Sequence, residues 1–101
     1  LDQSTRDLLN RGEKLMEILK QAQFAPLPLE EETVALAAID HVLDLPTADV
    51  RRFEEELLAN MRDRHSELMA KIRDSRDLGD EEREQVNAAI EQFKTTFKTS
   101  E

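Results

Sequence analysis

The chain has 101 residues, of which 37% are charged and 39% hydrophobic, and its formal net charge is −9. This length and apolar content predict one domain with one core, and we expect the chain to be a fragment of a longer protein. The negative charge disfavours binding to nucleic acids and to anionic membranes, because both require a basic surface. The sequence contains no cysteine and no apolar run near the twenty residues that span a bilayer.

The first helix is predicted over residues 4–22, with Ser4 or Thr5 as its N-cap. Its apolar residues recur every three or four positions and predict one buried stripe. Within this stripe a glycine, Gly12, would let another helix approach closely. The members of the stripe are Leu8, Leu9, Gly12, Leu15, Met16 and Leu19.

Two prolines, Pro26 and Pro28, are predicted to end the first helix and to start the second. Proline disfavours helical geometry in the residue before it, and its missing N–H is tolerated in a first helical turn. The second helix is predicted over residues 28–43. Its segment "VALAAI" is apolar on nearly every side, which is typical of a buried central helix.

The third helix is predicted over residues 48–75 and the fourth over residues 80–98. Gly79 is predicted to reverse the chain between them, and Asp80 to cap the fourth helix. Both helices carry an apolar stripe. The third has Val50, Phe53, Leu57, Leu58, Met61, Leu68, Met69 and Ile72, and the fourth has Val86, Ala89, Ile90, Phe93 and Phe97. The sequence therefore predicts an all-α bundle of about four helices without a sheet, as one domain over residues 1–101.

The sequence lacks the patterns of an enzyme. Two isolated glycines cannot form a phosphate-binding loop, and no nucleophile stands beside a base. The best metal candidates are Asp40, His41 and Asp44, but a solvated polar face at a helix end explains them better. His65 lies beside the apolar stripe of the third helix, so we interpret it as a packing residue rather than a catalytic base. We therefore predict no catalytic, cofactor or metal site.

The stretch "LDQSTRDLLNRGEKLMEILKQAQFAPLPLEE" resembles the start of the C-terminal helical domain of the F-type ATP synthase alpha subunit. Its most specific part runs from Arg11-Gly12 to the "ILKQ" that ends at Gln21. The later segments "LPTADVRRFEEELLANMRDRHSEL" and "AIEQFKTTF" are similar to later helices of that family. The segment "LAAIDHVLD" departs from its pattern by lacking aromatics and glycines, and "DSRDLGDE" replaces its Thr-Gly-x-Leu turn, as in a divergent homologue or a redesigned domain.

The resemblance implies a non-catalytic structural and coupling domain. In that family, alpha and beta subunits alternate in a ring around a rotating shaft, the gamma subunit, and proton flow drives ATP synthesis. Mg-ATP binds the alpha subunit in an upstream domain, so the resemblance implies no cofactor here. By position, Asp2, Arg6 and Asp7 would contact the shaft. The complex is expected to be peripheral, on the cytoplasmic face of a bacterial plasma membrane, and the isolated chain is expected to be soluble and monomeric.

Two other hypotheses remain open. A free-standing or engineered helical protein–protein interaction module would leave an exposed apolar patch after its helices have packed. A small metalloenzyme using Asp40, His41 and Asp44 would gain thermal stability from its metal, because a ligand bound only by the native state stabilises it.

Overall fold

The computed structural model describes residues 1–100, and over that range its regular secondary structure is entirely helical. A 3₁₀ turn, Ala38–His41, continues the second helix. The five α-helices are α1 (Gln3–Phe24), α2 (Leu29–Ala37), α3 (Thr47–Arg64), α4 (Ser66–Ser75) and α5 (Asp80–Lys94). The all-α prediction is confirmed, and the predicted number of helices is one too low.

His65 divides the predicted third helix into α3 and α4. Its backbone leaves the helical region, with φ −130° and ψ 37°. Its N–H donates to the carbonyl of Met61 at 3.0 Å, and its own carbonyl accepts from the N–H of Met69 at 3.0 Å. The break therefore keeps its backbone hydrogen bonds. No proline or glycine marks it in the sequence, so the continuous apolar stripe predicted a continuous helix.

The two prolines separate α1 from α2 as predicted. Ala25 is extended, with φ −145° and ψ 92°, and it ends α1. Pro28 lies just before α2, and its carbonyl accepts from the N–H groups of Glu31 and Glu32 at 3.0 and 2.9 Å. The second helix is shorter than predicted, because the backbone tightens into the 3₁₀ turn after Ala37.

The chain reversal before α5 differs from the prediction. Arg76, not Gly79, adopts left-handed geometry, with φ 56°, and its N–H donates to the carbonyl of Ile72 at 3.0 Å. Gly79 is extended and takes the N-cap position, which makes Asp80 the first residue of α5 instead of its cap. Arginine in a left-handed conformation carries a steric cost that glycine does not.

The core lies where α2 to α5 meet. The predicted stripe over α3 and α4 is buried throughout, as are the predicted Val86, Ala89 and Ile90 of α5. An aromatic cluster closes one side of the core. Within it, the ring of Phe53 meets those of Phe93 and Phe97 edge-on, with centroid distances of 5.3 and 4.9 Å. Predictions from α2 onward are therefore largely confirmed for the core.

The prediction for α1 is wrong in its orientation. Ile18 and Lys14 are buried, whereas most of the predicted stripe is exposed to solvent. A Cβ added at Gly12 would have no neighbour within 4 Å among residues 1–100, so none of the described helices packs against it. The helix rests on α3 and the 3₁₀ turn through its other side. This inner side of α1 carries polar residues, Asn10 and Lys14, that hold the helix in place through hydrogen bonds.

Candidate partner-contact surfaces

The inner side of α1 is held by polar contacts. The buried Lys14 Nζ donates to Thr47 Oγ1 at 2.7 Å, and the Thr47 hydroxyl donates to Glu13 Oε1 at 2.8 Å. Asn10 Nδ2 donates to the carbonyl of Leu43 at 2.9 Å. These bonds fix which side of α1 faces the core. The burial of Lys14 was not predicted from the sequence, because lysine is almost never fully buried unless it is paired.

The opposite side of α1 forms what we call the outward face: Leu8, Leu9, Gly12, Met16 and Leu19. At about 100° of rotation per residue, these positions lie within an arc of roughly 100°, and no charged residue falls inside it. Leu8 is 72% exposed and Met16 is 61% exposed. The outward face is therefore a continuous apolar strip in contact with solvent.

Asp2 caps the N-terminus of α1. Its Oδ1 accepts from the N–H of Thr5 at 2.8 Å and from the hydroxyl of Ser4 at 3.2 Å. These hydrogen bonds, that of Thr5 first, lower the pKa of Asp2. The cap is therefore Asp2 and not Ser4 or Thr5, because a carboxylate two residues earlier reaches the free N–H groups of the first turn.

Arg6 and Asp7, the other two residues assigned by position to shaft contact, lie one turn beyond Asp2. Gln3 links them, because its Oε1 accepts from Arg6 Nη2 at 3.1 Å and its Nε2 donates to Asp7 Oδ1 at 2.7 Å. All three charged side chains are exposed. The fold thus gathers Asp2, Arg6 and Asp7 at one exposed end of α1.

The three candidate metal ligands point to different partners. Asp40 pairs with Arg11 at 3.3 Å, and Asp44 pairs with Lys94 Nζ at 2.8 Å. The hydrogen bond from Lys94 lowers the pKa of Asp44. Among residues 1–100, no group of three or more metal-ligating side chains could hold an ion.

His41 joins the 3₁₀ turn to α5. Its Nδ1 lies 2.6 Å from Glu91 Oε1, and its Nε2 lies 3.0 Å from Asn87 Oδ1. Both ring nitrogens therefore have oxygen partners in the fold. His65 is partly buried at the junction of α3 and α4.

Glu54 is another buried charged residue that was not predicted from the sequence. Glu54 is 1% exposed, and neither carboxylate oxygen has a hydrogen-bond partner within residues 1–100. Burial, together with the charge of Glu55, raises the pKa of Glu54 to about 7, while Arg51 opposes this shift. The burial of Glu54 could have been predicted from its position in the helix. It lies one helical turn after the buried Val50, on the same side of α3.

Comparison with known proteins defines the class. Residues 1–93 match the family described as ATP synthase alpha/beta chain, C terminal domain. The chain belongs to this family.

The comparison also identifies the subunit. ATP synthase subunit alpha of Thermobifida fusca (strain YX) is 46% identical over 103 residues, which cover 100% of this chain and 19% of that protein. The resemblance to the C-terminal domain of the alpha subunit is thereby confirmed. The chain spans about one fifth of the length of this relative. Within residues 1–100, no helix combines the length and the apolar character that crossing a membrane requires.

Proposed function

We propose that this chain is a non-catalytic structural and coupling domain of an ATP synthase alpha subunit. It would lie in a ring of alpha and beta subunits around the central gamma subunit. The observation that carries the proposal is the match of residues 1–93 to the C-terminal domain family, supported by 46% identity to an alpha subunit. Proton transport and ATP synthesis would belong to the whole enzyme, a peripheral complex on the cytoplasmic face of a bacterial plasma membrane. Mg-ATP would bind elsewhere in the subunit.

The proposed role is mechanical. Closely packed interiors resist deformation, so a packed bundle moves as a unit when one end is displaced. A force on the exposed end of α1 would reach α3 through the Lys14–Thr47 hydrogen bond at 2.7 Å and the contact of Arg51 Nε with Gln21 Oε1 at 3.2 Å. We propose that Asp2, Arg6 and Asp7 receive that force from the gamma subunit.

A charge swap tests this contact. In a chimera, the chain replaces the matched region of the Thermobifida fusca alpha subunit, and the assembled enzyme is placed in membrane vesicles. Arg6→Glu with Asp7→Lys exchanges the two charges, keeps the net charge and leaves the Asp2 cap intact. Proton-driven ATP synthesis should fall several-fold. ATP hydrolysis by the alpha–beta ring separated from the gamma subunit should not change.

Arg73 and Asp74 provide a matched control for the charge swap. They form an adjacent, exposed Arg–Asp pair at 3.3 Å on α4, away from the end of α1. Arg73→Glu with Asp74→Lys should leave coupling unchanged. If both swaps have the same effect, or if neither has any, the assignment of the shaft contact is wrong.

Nucleotide binding tests the non-catalytic part of the proposal. A ligand that binds only the native state raises its melting temperature. Millimolar Mg-ATP should leave the melting temperature of the isolated chain unchanged, and the chain should not hydrolyse ATP. A nucleotide-dependent rise in the melting temperature would contradict the proposal.

The exposed outward face of α1 is the observation that favours the alternative, a free-standing or engineered interaction module. Such a module would bind its partner without the rest of an alpha subunit. The chimera separates the two hypotheses, because a free-standing module has no reason to support assembly of the ring.

A further inference from the structure

Glu54 lies in the core without the partners that a buried charge requires. It is 1% exposed, and within residues 1–100 neither of its carboxylate oxygens has a hydrogen-bond partner. A charged carboxylate is normally buried only when it is paired, because leaving water without compensation is costly. The packing around Glu54 therefore fits the protonated, uncharged form. Burial, together with the charge of Glu55, raises the pKa of Glu54 to about 7.

A cation, Arg51, lies close to Glu54 but is engaged with other groups. The two residues are three positions apart on α3, a spacing that makes side chains neighbours on a helix. The Arg51 Nε donates to Gln21 Oε1 of α1 at 3.2 Å and lies 3.5 Å from Glu55 Oε1. Among the described residues, the charged groups that act on Glu54 are Glu55 and Arg51, both on α3. The group that α1 presents to Arg51 is the neutral amide of Gln21.

We propose that Glu54 and Arg51 form a proton-operated latch between α3 and the C-terminal end of α1. In the closed state, Glu54 keeps its proton and stays in the core, and Arg51 holds Gln21. In the open state, Glu54 has lost its proton, turns out of the core and pairs with Arg51, which releases Gln21. The carboxylate displaces the amide because a hydrogen bond to a charged acceptor is stronger than one to a neutral acceptor.

The direction of the response follows from the proton. The uncharged form of Glu54 is the one that the core accepts, so the latch is closed at low pH and opens as the pH rises through about 7. Opening is local, because the Lys14–Thr47 hydrogen bond at 2.7 Å still holds the middle of α1. The latch is a property of this chain and does not depend on the proposed function. In an alpha subunit it would make one of the two α1–α3 contacts named above sensitive to pH.

Distances between two spin labels, measured by double electron–electron resonance, test the latch in the 101-residue chain, which has no cysteine of its own. Phe24→Cys reports on the C-terminal end of α1, and Ala59→Cys is an exposed reference on α3. Leu8→Cys with the same reference is the control, because it lies on the other side of the Lys14 anchor. Phe24 and Leu8 are matched in exposure, at 77% and 72%. Each pair is measured from about pH 5 to about pH 9.

The Phe24–Ala59 pair should show one narrow distance at the low end of this range. A second, broader population of distances should become the majority as the pH rises through about 7. The Leu8–Ala59 distance should stay constant. A Phe24–Ala59 distance that does not respond to pH would overturn the proposal, and so would an equal response of the Leu8–Ala59 pair.

Two substitutions identify the group that titrates. Glu54→Gln should keep the narrow Phe24–Ala59 distance over the whole range, because the side chain can no longer become charged. Glu55→Gln is the matched control on the neighbouring residue. It should keep the transition and move it to lower pH, because the charge of Glu55 raises the pKa of Glu54. A transition that persists in Glu54→Gln would belong to another group and would overturn the proposal.

Arg51→Met tests the exchange of partners. Without the guanidinium, Gln21 has no partner on α3 to release, so the broader population should be present at both ends of the pH range. A pH-dependent transition that persists in Arg51→Met would show that Arg51 does not change partners. A single narrow distance at every pH would show that Arg51 does not hold α1. Either result would overturn the latch.

Discussion

Neutralising Glu54 should stabilise the domain at neutral and alkaline pH. Its carboxylate is 1% exposed and has no hydrogen-bond partner within residues 1–100. The protonated form is therefore favoured in the folded state, and the pKa rises from its ordinary value of 4.5 to about 7. Because the folded protein holds this proton more tightly than the unfolded chain, the stabilisation is complete below pH 4.5 and is lost as the pH rises through 7.

The size of this effect follows from the shift. A rise from 4.5 to about 7 corresponds to about 3 kcal/mol, at roughly 1.4 kcal/mol per pKa unit. Glu54→Gln removes the titration and keeps the shape of the side chain. The free energy of unfolding of the variant, relative to that of the parent chain, should therefore increase by up to about 3 kcal/mol between about pH 5 and about pH 8.

Urea denaturation followed by circular dichroism across this pH range measures the difference. Comparison with the parent chain cancels contributions from other groups, including the histidines. Glu56→Gln is the matched control, because Glu56 is an exposed glutamate on the same helix, paired with Arg52 at 3.1 Å. If the difference between the parent chain and Glu54→Gln stays constant with pH, or matches that of the control, burial does not raise the pKa of Glu54.

Three further predictions concern stability in the isolated chain, measured by urea denaturation. Phe53→Ala should lower the free energy of unfolding by about 4 kcal/mol, because it empties the centre of the aromatic cluster; a loss below about 1 kcal/mol would show that the cluster is not part of the core. Gly12→Ala should raise the free energy of unfolding by about 1 kcal/mol, because alanine has the higher helix propensity. Destabilisation would mean that Gly12 is packed against another part of the chain. Arg62→Met should lower it by about 1 kcal/mol, because Glu31, bonded to Arg62 at 2.8 Å, would lose its partner; Arg64→Met should have no comparable effect.

Much of the fold could be predicted from periodicity and prolines. The residues of the α3 and α4 stripe share one side, and the core covers that side. Pro26 and Pro28 restrict the backbone locally, so their effect does not depend on the rest of the fold. The break at His65 carries no such local restriction. The left-handed Arg76 was equally hidden, since glycine is the residue expected in that conformation.

The candidate site was less predictable, because periodicity tells which residues share a side but not what covers it. The outward face of α1 was predicted correctly as one apolar strip but wrongly as a buried one, because its leucines and Met16 are exposed. On the side of α1 that meets the core, Lys14 donates a hydrogen bond to Thr47 of α3, and a polar contact of this kind leaves no periodic signal. Glu54 was missed for a related reason, because charged residues are rarely fully buried.

We propose that this chain serves as the C-terminal coupling domain of an alpha subunit. The most direct measurement is proton-driven ATP synthesis in vesicles that carry the Thermobifida fusca enzyme. One enzyme has its matched alpha-subunit region replaced by this chain, and the other has that region deleted. The chimera should assemble and synthesise ATP, whereas the deletion variant should not. A chimera whose ATP synthesis is no faster than that of the deletion variant would contradict the proposed coupling role.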